Sequence, residues 1–353
     1  MRPSATLVPL ETRAAGTSKV TMLVATTRSP SADPGVLFDG GRSRDIALTS
    51  LAVSIPPDRN RKIGEVQWPR SVPPDPEKSF ATLDVTPLHG IGSERRWLDR
   101  NLPKARRVLI FVHGFNNQFE DAVYRYAQIV HDSGVVAAPV LFTWPSRGSV
   151  FAYGYDREST NFSRDAFEKT VWQISQDPDV EDVTILGHSM GAWLVMEGMR
   201  QMAIRHGKLP ANIKNIILAS PDIDVDVFAT QWLAIRDSQA RMTLFVSRND
   251  KALRFSRRIA GRVDRVGQVD TRSATYYRQL ERSGIAVFDL SDLRGGDSLN
   301  HSKFAQSPEV VRLIGKRLVA GQTITDSDAS LGEQLGIAAI GVGQAMGEPR
   351  GAE

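Results

Sequence analysis

The 353-residue sequence contains no cysteine. This absence excludes disulfide bonds, zinc sites with thiolate ligands, iron–sulfur clusters and a cysteine nucleophile. The sequence also lacks a large excess of either charge, since it contains 44 basic and 40 acidic residues and has a net charge of +4. Because the charge is nearly balanced and no nucleic-acid-reading motif is present, we expect no nucleic-acid partner.

Long hydrophobic runs are missing as well. Stretches such as Ile216–Ala219 are far shorter than the roughly 20 residues needed to span a bilayer. The first residues, Met1-Arg2-Pro3-Ser4, lead into a polar segment without the apolar core of a signal peptide. This pattern predicts a cytoplasmic protein if Met1 is the true start, and an exported one if a leader was removed.

Turn-forming residues divide the chain into regions of different character. Residues 1–18 are polar and contain several turn formers, and the last residues are rich in glycine without strong periodicity. Such stretches are typical of loosely ordered termini. The predicted organisation is a flexible arm at 1–18, a domain at 19–320 (an extension with edge strands at 19–105 and a core at 106–320), and a weakly ordered tail at 321–353 with one short helix around 331–340.

Short β-branched and aromatic runs alternate with helical periodicity through most of the chain. This alternation is typical of an α/β fold with a mostly parallel, doubly wound sheet and helices on both faces. The predicted strands are Val20–Thr27, Ile46–Ile55, Ala81–Thr86, Val108–Val112, Val140–Thr143, Val183–Leu186, Ile213–Ala219, Met242–Val246 and Ile285–Leu290, and the predicted helices are Phe119–His131, Ser163–Gln176, Gly191–Ile204 and Pro308–Val319.

The strongest functional motif is Gly187-His188-Ser189-Met190-Gly191. A buried strand ends directly before it and a helix starts directly after it, which is the setting of a nucleophile elbow. The turn exposes the serine hydroxyl above the sheet edge, the glycines allow close packing, and the helix N-terminus faces a developing oxyanion. We therefore predict that Ser189 is a nucleophile. The alternative is an ordinary turn in which the serine caps the helix.

A serine nucleophile needs a base and an acid, which follow it in the chain in the order acid, then histidine. His301 lies after the last predicted core strand and is the expected base, whereas His206 falls at the far end of the elbow helix. Asp250, after the strand Met242–Val246, is the favoured acid. Asp222 and Asp224 are the alternative acids, although they could simply cap the next helix.

An oxyanion hole requires two backbone N–H groups. Met190 follows the nucleophile, and the turn His113-Gly114-Phe115 follows the first core strand. We therefore predict that the N–H groups of Phe115 and Met190 form the hole. His113 precedes the serine and is interpreted as a structural residue of this turn.

These motifs together resemble the α/β-hydrolases, and more narrowly a little-characterised bacterial branch of the esterase/lipase superfamily. The resemblance rests on Phe111-Val112-His113-Gly114-Phe115-Asn116, Trp144-Pro145-Ser146, the Ser189 elbow, and Asn249-Asp250 followed by His301, with support from Thr26-Thr27-Arg28 and Val53-Ser54-Ile55-Pro56-Pro57. It covers roughly residues 20–320. It implies an ester or related acyl hydrolase that needs no metal and no cofactor.

The substrate class is less defined than the fold. The lead hypothesis is a serine hydrolase that cleaves carboxylic esters or lipids through an acyl-enzyme. An amidase, peptidase or thioesterase with the same triad, or a non-catalytic interaction module on the same fold, are the alternatives. Trp144, Tyr153 and Tyr155 follow the strand Val140–Thr143 and are candidates for the walls of the substrate pocket.

One further segment carries an excess of positive charge. Apolar residues at Phe255 and Ile259 recur at helical spacing beside arginines from Arg254 to Arg265. This pattern predicts an amphipathic helix with a cationic face. It indicates either a solvated helix surface or weak association with a membrane surface or an anionic substrate. The sequence makes no prediction about the oligomeric state.

Overall fold

The computed structural model describes residues 3–11, 14–273, 283–293, 297, 299–315 and 338–340. Ten strands form a single sheet in the order β10-β9-β8-β7-β6-β4-β5-β1-β2-β3. The strands are β1 Ser18–Pro30, β2 Phe38–Ile55, β3 Ala81–Leu88, β4 Arg107–Val112, β5 Ala138–Thr143, β6 Asp182–His188, β7 Ile213–Ala219, β8 Arg241–Val246, β9 Ala286–Asp289 and β10 Ala338–Ile340.

Eight α-helices of the described residues connect or follow these strands. They are α1 Ser93–Asn101, α2 Phe119–Ser133, α3 Tyr153–Ser175, α4 Met190–His206, α5 Val225–Ile235, α6 Lys251–Ile259, α7 Lys303–Gln306 and α8 Pro308–Leu313. None of the described helices combines the length and the apolar character needed to cross a membrane.

Most neighbouring strands run parallel. Strands β4 to β9 pair in parallel, and β1 joins them in parallel next to β5. The antiparallel pairs are β1 with β2, β2 with β3, and β9 with β10. The central strands are buried on both faces, where two separate apolar clusters cover the sheet. This architecture confirms the predicted mostly parallel α/β sheet, and it brings the carboxyl ends of β4 to β9 to one edge.

The N-terminal region contributes three strands to the sheet. Strand β2 is longer than predicted, because Gly40 and Gly41 lie within the strand although they read as turn formers. The pairing of β1 with β2 is irregular between Thr26 and Arg28, close to these glycines. The hairpin therefore extends past the regular part of the ladder toward the carboxyl edge.

Helix α3 starts ten residues earlier than the predicted helix Ser163–Gln176. Its first three turns contain polar residues, and their hydroxyls bond to carbonyl oxygens of the preceding turn. Ser159 Oγ donates to the Tyr155 carbonyl at 2.8 Å, and Ser163 Oγ donates to the Ser159 carbonyl at 2.7 Å. These buried polar residues break the apolar periodicity, so the predicted start of the helix at Ser163 is wrong.

The predicted continuous helix from Arg254 to Arg265 is also wrong. Helix α6 ends at Ile259, because Gly261 (φ 83°) and Arg262 (φ 66°) adopt left-handed backbone conformations. The Arg262 N–H donates back to the Arg257 carbonyl at 2.8 Å, as in a glycine-terminated helix. Arg265 is consequently not on the helix but is buried beneath it.

Several other boundaries differ from the sequence interpretation. Helix α1 was not predicted, and helix α8 ends at Leu313, while residues 316–319 of its predicted extension lie outside the described residues. The short helix expected around 331–340 also lies mostly outside them. Its last three residues form β10 instead, paired antiparallel with β9.

Candidate active site

Ser189 occupies the tight turn between β6 and α4. Its backbone has φ 53° and ψ −121°, a conformation that non-glycine residues rarely adopt and that costs of order 1–3 kcal/mol. The Ser189 N–H donates to the Ala219 carbonyl at 2.9 Å, and the Ser189 carbonyl accepts from the Asp222 N–H at 3.1 Å. These bonds to the end of β7 hold the strained turn in place.

The loop after β4 packs directly against this turn. A Cβ on Gly191 would lie 2.2 Å from the His113 carbonyl oxygen, and a Cβ on Gly114 would lie 2.9 Å from the Ser189 Cβ. Only glycine allows backbones to approach this closely. The approach brings the Phe115 N–H and the Met190 N–H to the same edge of the sheet as Ser189.

Both of these N–H groups are available to a ligand. Met190 is the first residue of α4, so its N–H has no acceptor within the helix. The Phe115 N–H has no acceptor among the residues that the structure describes. The partial positive charge at the start of α4 favours an anion at this point.

His301 and Asp250 form a close pair. The His301 Nδ1 lies 2.7 Å from the Asp250 Oδ2, and the carboxylate is fully buried. The other carboxylate oxygen, Oδ1, accepts the Leu253 N–H at 2.9 Å and so caps α6. One oxygen of Asp250 therefore fixes the helix that follows β8, and the other orients the imidazole.

The pKa of His301 lies above its ordinary value. Burial alone would lower this pKa, but the negative charge of Asp250 and the hydrogen bond to it outweigh burial, with smaller contributions from Asp297 and Asp222. The pair therefore favours the imidazolium form. A site that must take up a proton during reaction benefits from this arrangement.

The His301 loop is tied to the elbow through its backbone. The His301 carbonyl accepts from Ser220 Oγ at 3.2 Å and lies 3.3 Å from His188 Nε2. The His188 ring packs 4.8 Å from the His301 ring, centroid to centroid. His301 is thus anchored to the residue before Ser189 and to the strand beside it.

The Ser189 side chain is nearly buried, with 3% of the residue exposed. Within the described part of the chain its hydroxyl makes no hydrogen bond. Contacts between a nucleophile and its base are often long without substrate and shorten when substrate binds.

Arg28 is buried against the loop after β4 and binds its backbone. Its Nη1 donates to the Ser146 carbonyl and its Nη2 donates to the Asn117 carbonyl, both at 2.8 Å. The Arg28 Nη2 also lies 3.4 Å from His113 Nε2. The sequence contained the signal Thr26-Thr27-Arg28, but its role follows only from the position of β1 beside β5.

His113 is a structural residue that lies beside Arg28 in this loop. Burial, with the nearby Arg28 charge, lowers the pKa of His113 to about 3, so the ring is neutral. Its Nε2 accepts the Trp144 N–H at 3.2 Å, which leaves the Nδ1 proton to be donated to the Gly114 carbonyl at 2.9 Å. His113 therefore fixes the glycine turn next to Ser189.

A second buried polar group lies beside the elbow. Asp222 Oδ1 accepts from Ser256 Oγ at 2.5 Å, and Oδ2 accepts from the Tyr153 hydroxyl at 3.0 Å. The Arg265 Nε lies 3.3 Å from Asp222 Oδ1 and supplies the opposite charge. Asp222 is therefore engaged by these three residues, and its carboxylate makes no hydrogen bond to His301.

The remaining predicted site residues have distinct positions. Asp224 caps α5 through Oδ1, which accepts the N–H groups of Asp226 and Val227. Trp144 is fully buried and stacks on His113, so the expectation that it lines a pocket is wrong. The Tyr155 hydroxyl donates to the Gly40 carbonyl at 3.0 Å, which turns it toward the β1–β2 hairpin instead of Ser189.

Tyr153 is the predicted pocket residue that lies next to the elbow. Its ring packs edge-on against Phe115, 5.3 Å between centroids, in addition to its bond to Asp222. Phe115 itself is partly exposed. These two aromatic rings form a wall beside Ser189.

Two residues of the acid and histidine loops were missed by sequence reasoning. Lys303 is buried, and its Nζ donates to the Leu290 carbonyl at 2.9 Å and to Asn249 Oδ1 at 3.2 Å. Asp297 Oδ1 accepts the His301 N–H at 2.8 Å. A search of the described residues finds no group of three or more histidine, aspartate or glutamate residues that could hold a metal ion.

Residues 91–317 match the family model described as "Alpha/beta hydrolase of unknown function (DUF900)". This match covers more than half of the chain, and the chain belongs to this family. The family and the sheet together define an α/β-hydrolase fold, as the sequence motifs predicted.

Individual relatives are distant. An uncharacterised protein from Nostoc sp. (strain PCC 7120) is 26% identical over 139 residues, which cover 31% of this chain and 36% of that protein. The chain therefore spans about a third of the length of the curated relative that it matches. A Pyrobaculum calidifontis esterase is 11% identical, with 86% of this chain and 85% of that chain covered and a TM-score of 0.37. A structure from a study of two fungal esterases from Rhizomucor miehei is 15% identical, with the same coverage and a TM-score of 0.38.

Proposed function

We propose that this α/β-hydrolase is a serine hydrolase that cleaves carboxylic esters through an acyl-enzyme. Ser189 is the nucleophile, His301 is the general base and Asp250 orients the imidazole. The observation that carries the proposal is the 2.7 Å contact between His301 Nδ1 and Asp250 Oδ2, on a loop anchored to the strained Ser189 turn.

The first step forms the acyl-enzyme. His301 Nε2 takes the proton of the Ser189 hydroxyl while Oγ attacks the carbonyl carbon of the ester. Asp250 stabilises the resulting imidazolium, which accords with the raised pKa of His301. The N–H groups of Phe115 and Met190 donate to the oxyanion of the tetrahedral intermediate.

The intermediate then collapses. His301 gives its proton to the departing alcohol, and the acyl group remains on Ser189 Oγ. A water molecule, deprotonated by His301, attacks the acyl carbon and releases the carboxylic acid, which restores the Ser189 hydroxyl. In this mechanism Phe115 and Tyr153 contact the substrate beside the reacting carbon.

A fluorophosphonate probe and short p-nitrophenyl esters test the proposal. The probe reacts with an activated serine, so we expect one labelled peptide, which contains Ser189. Ser189→Ala should lose both labelling and turnover, whereas Ser71→Ala on an exposed loop should keep both. A folded Ser189→Ala protein with unchanged turnover would exclude Ser189 as the nucleophile.

Comparison of matched substrates tests the bond that is cleaved. Oxygen esters, thioesters and amides of one acyl group differ only in the leaving group, and we expect the oxygen ester to react fastest. Preferential cleavage of the amide or thioester would favour the alternative classes predicted from the sequence. The cytoplasmic location stays a prediction.

A further inference from the structure

The exposed face of α6 combines large apolar side chains with arginines. Phe255 and Ile259 lie one turn apart and are 48% and 51% exposed, while Leu253 and Ser256 face the protein interior. Arg254 and Arg258 are exposed next to them. Phenylalanine and isoleucine on a helix surface between arginines are typical of a helix that rests in the membrane–water interface.

A second apolar segment lies next to α6. Val150 and Phe151, which follow β5, are 52% and 97% exposed. The Tyr153 hydroxyl contacts Ser256 Oγ at 2.8 Å, so this segment is held against α6 two residues from Phe151 and one residue from Phe255. Exposed apolar side chains from two chain segments therefore lie on one side of the molecule.

A third exposed apolar side chain next to α6 comes from the loop that carries His301. The Leu299 carbonyl accepts the Lys251 N–H at 2.8 Å, which holds Leu299 at the first residue of α6, and its side chain is 47% exposed. Large exposed apolar patches on a protein surface mark interaction sites. Here they follow β5, β8 and β9, at the same sheet edge as Ser189.

The charge of the segment that carries α6 has one sign. Residues 251–263 contain five basic residues and no acidic residue. Arg257 is paired with Asp264 at 3.0 Å. Within the part of the chain that the structure describes, neither Arg258 nor Arg262 pairs with a carboxylate. The shortened helix therefore keeps its cationic face although Arg265 is buried with Asp222.

We propose that this face, defined by Val150, Phe151, Phe255, Ile259 and Leu299 with Arg254, Arg258 and Arg262, docks on an anionic lipid bilayer. The apolar side chains enter the headgroup region and the arginines contact lipid phosphates. Nucleic acid would pair with the arginines but would leave the apolar side chains in water, so the combination favours lipid.

The position of the face also indicates the substrate. Helix α6 begins immediately after Asp250, and Leu299 is two residues before His301, so docking brings the mouth of the site to the bilayer surface. The substrate class is then a lipid ester presented by the membrane. This second statement rests on the proposed function, whereas the docking does not.

Vesicle sedimentation with the full chain tests the docking. The Ser189→Ala protein removes any turnover, and the vesicles are phosphatidylcholine alone or phosphatidylcholine mixed with phosphatidylglycerol. We expect binding to the mixed vesicles only, weakening as salt screens the charges. No binding, or equal binding to both vesicle types, would overturn the proposal, as would binding of duplex DNA but not of vesicles.

Two variants separate the charged and apolar contributions. Arg258→Glu with Arg262→Glu should weaken binding at least about 25-fold, or about fivefold for each basic residue lost. Phe255→Ser with Ile259→Ser should weaken it about tenfold. Arg95→Glu with Arg100→Glu, on the exposed face of α1, changes the net charge equally and should bind as the parent does. Equal effects of the two charge variants would contradict a defined docking face.

Turnover of two esters separates docking from catalysis. With Ser189 intact, Phe255→Ser with Ile259→Ser should lower hydrolysis of a lipid ester in mixed vesicles about tenfold and leave a soluble p-nitrophenyl ester unaffected. Equal loss on both substrates would contradict the lipid assignment. Vesicle binding without turnover of either ester would support the docking and refute the proposed function.

Discussion

Arg28 donates a 2.8 Å hydrogen bond to the carbonyl of Asn117 and thereby ties the first strand of the sheet to the loop beside Ser189. The guanidinium is buried, and desolvation lowers its pKa to about 10, so it stays charged at neutral pH. Since Asn117 follows Phe115 by two residues, Arg28 fixes the segment that presents one proposed oxyanion donor. The N-terminal extension is therefore part of the framework of the candidate active site.

We predict that Arg28→Met lowers kcat for a soluble ester about 100-fold with little change in KM. Displacing an oxyanion donor by about 1 Å acts on the transition state more than on the bound substrate. Arg28→Lys should recover part of the loss, because it restores one charged donor. Arg42→Met, also on the β1–β2 hairpin, is the matched control and should keep its kcat. Equal kcat values with only a lower melting temperature would reduce Arg28 to a structural role.

A second prediction concerns pH. The raised pKa of His301 means that its neutral form predominates only at higher pH than for an ordinary histidine. Since the neutral imidazole accepts the Ser189 proton in the proposed mechanism, kcat/KM should rise with pH through a pKa above 6.5. Activity that falls as the pH rises through this range would contradict His301 as the base.

Asp250→Asn tests the cause of the same shift. It removes the negative charge and the control of the imidazole tautomer, so kcat should fall about 10⁴-fold. The pKa that describes the rise of kcat/KM with pH (the acidic limb of the profile) should move down. Asp224→Asn, at a helix cap away from His301, should leave both unchanged. An unshifted acidic limb in Asp250→Asn would show that another group titrates.

The turn at Ser189, the core strands and the position of His301 after the last parallel strand could be predicted because each is encoded by adjacent residues. Ser189 lies between a β-branched strand and an apolar helix, and His301 follows the last core strand. In contrast, Arg28 and Lys303 act on residues far away in the sequence, so local patterns carry no sign of their partners. Arginine and lysine are usually exposed, and their burial follows only from the assembled sheet.

Three of the predictions are wrong, and each has its own physical reason. The position of Trp144 after a core strand predicts a pocket residue, but its indole N–H donates to a buried acceptor, the His113 carbonyl, at 2.8 Å. The start of α3 was hidden because buried serines and threonines resemble turn formers. The end of α6 was hidden because arginines at helical spacing continue past Gly261, where the backbone becomes left-handed.

Lys303 provides a third prediction. Its Nζ joins the Leu290 and Ser291 carbonyls to Asn249 next to Asp250, so it holds the acid loop and the histidine loop together. Lys303→Met removes three charge-assisted hydrogen bonds, although each acceptor keeps a second donor (the Leu293 N–H, Asn249 Nδ2 and Ser247 Oγ), and should lower the free energy of unfolding by about 2 kcal/mol. If it positions the Asp250–His301 pair, the acidic limb of kcat/KM should also shift.

The control for Lys303 is Lys208→Met, on the exposed segment after α4. It should alter neither the denaturation midpoint nor the pH profile. A Lys303→Met protein that is destabilised but retains the parent pH profile would show that Lys303 supports the fold without positioning the pair.

A fourth prediction concerns Asp132, which fastens the segment after β2 to α2. Burial raises the pKa of this carboxyl, but hydrogen bonds from His131, the Gly64 N–H, Gln128 and Arg61 outweigh burial and lower it to about 2. A pKa that is lower in the folded state than the ordinary 3.8 stabilises the fold above that ordinary value. The shift corresponds to about 2 kcal/mol.

Asp132→Asn should therefore lower the free energy of unfolding at pH 7 by about 2 kcal/mol, as measured by urea denaturation. The difference from the parent should shrink as pH falls from about 4 to about 2, because the parent carboxyl then becomes protonated. Asp237→Asn, whose carboxylate is exposed, should show no difference at either pH. Gln128, which donates to Asp132, also donates to the Ala305 carbonyl close to His301. If the difference in unfolding free energy between Asp132→Asn and the parent persists unchanged at about pH 2, Asp132 acts through packing instead of charge.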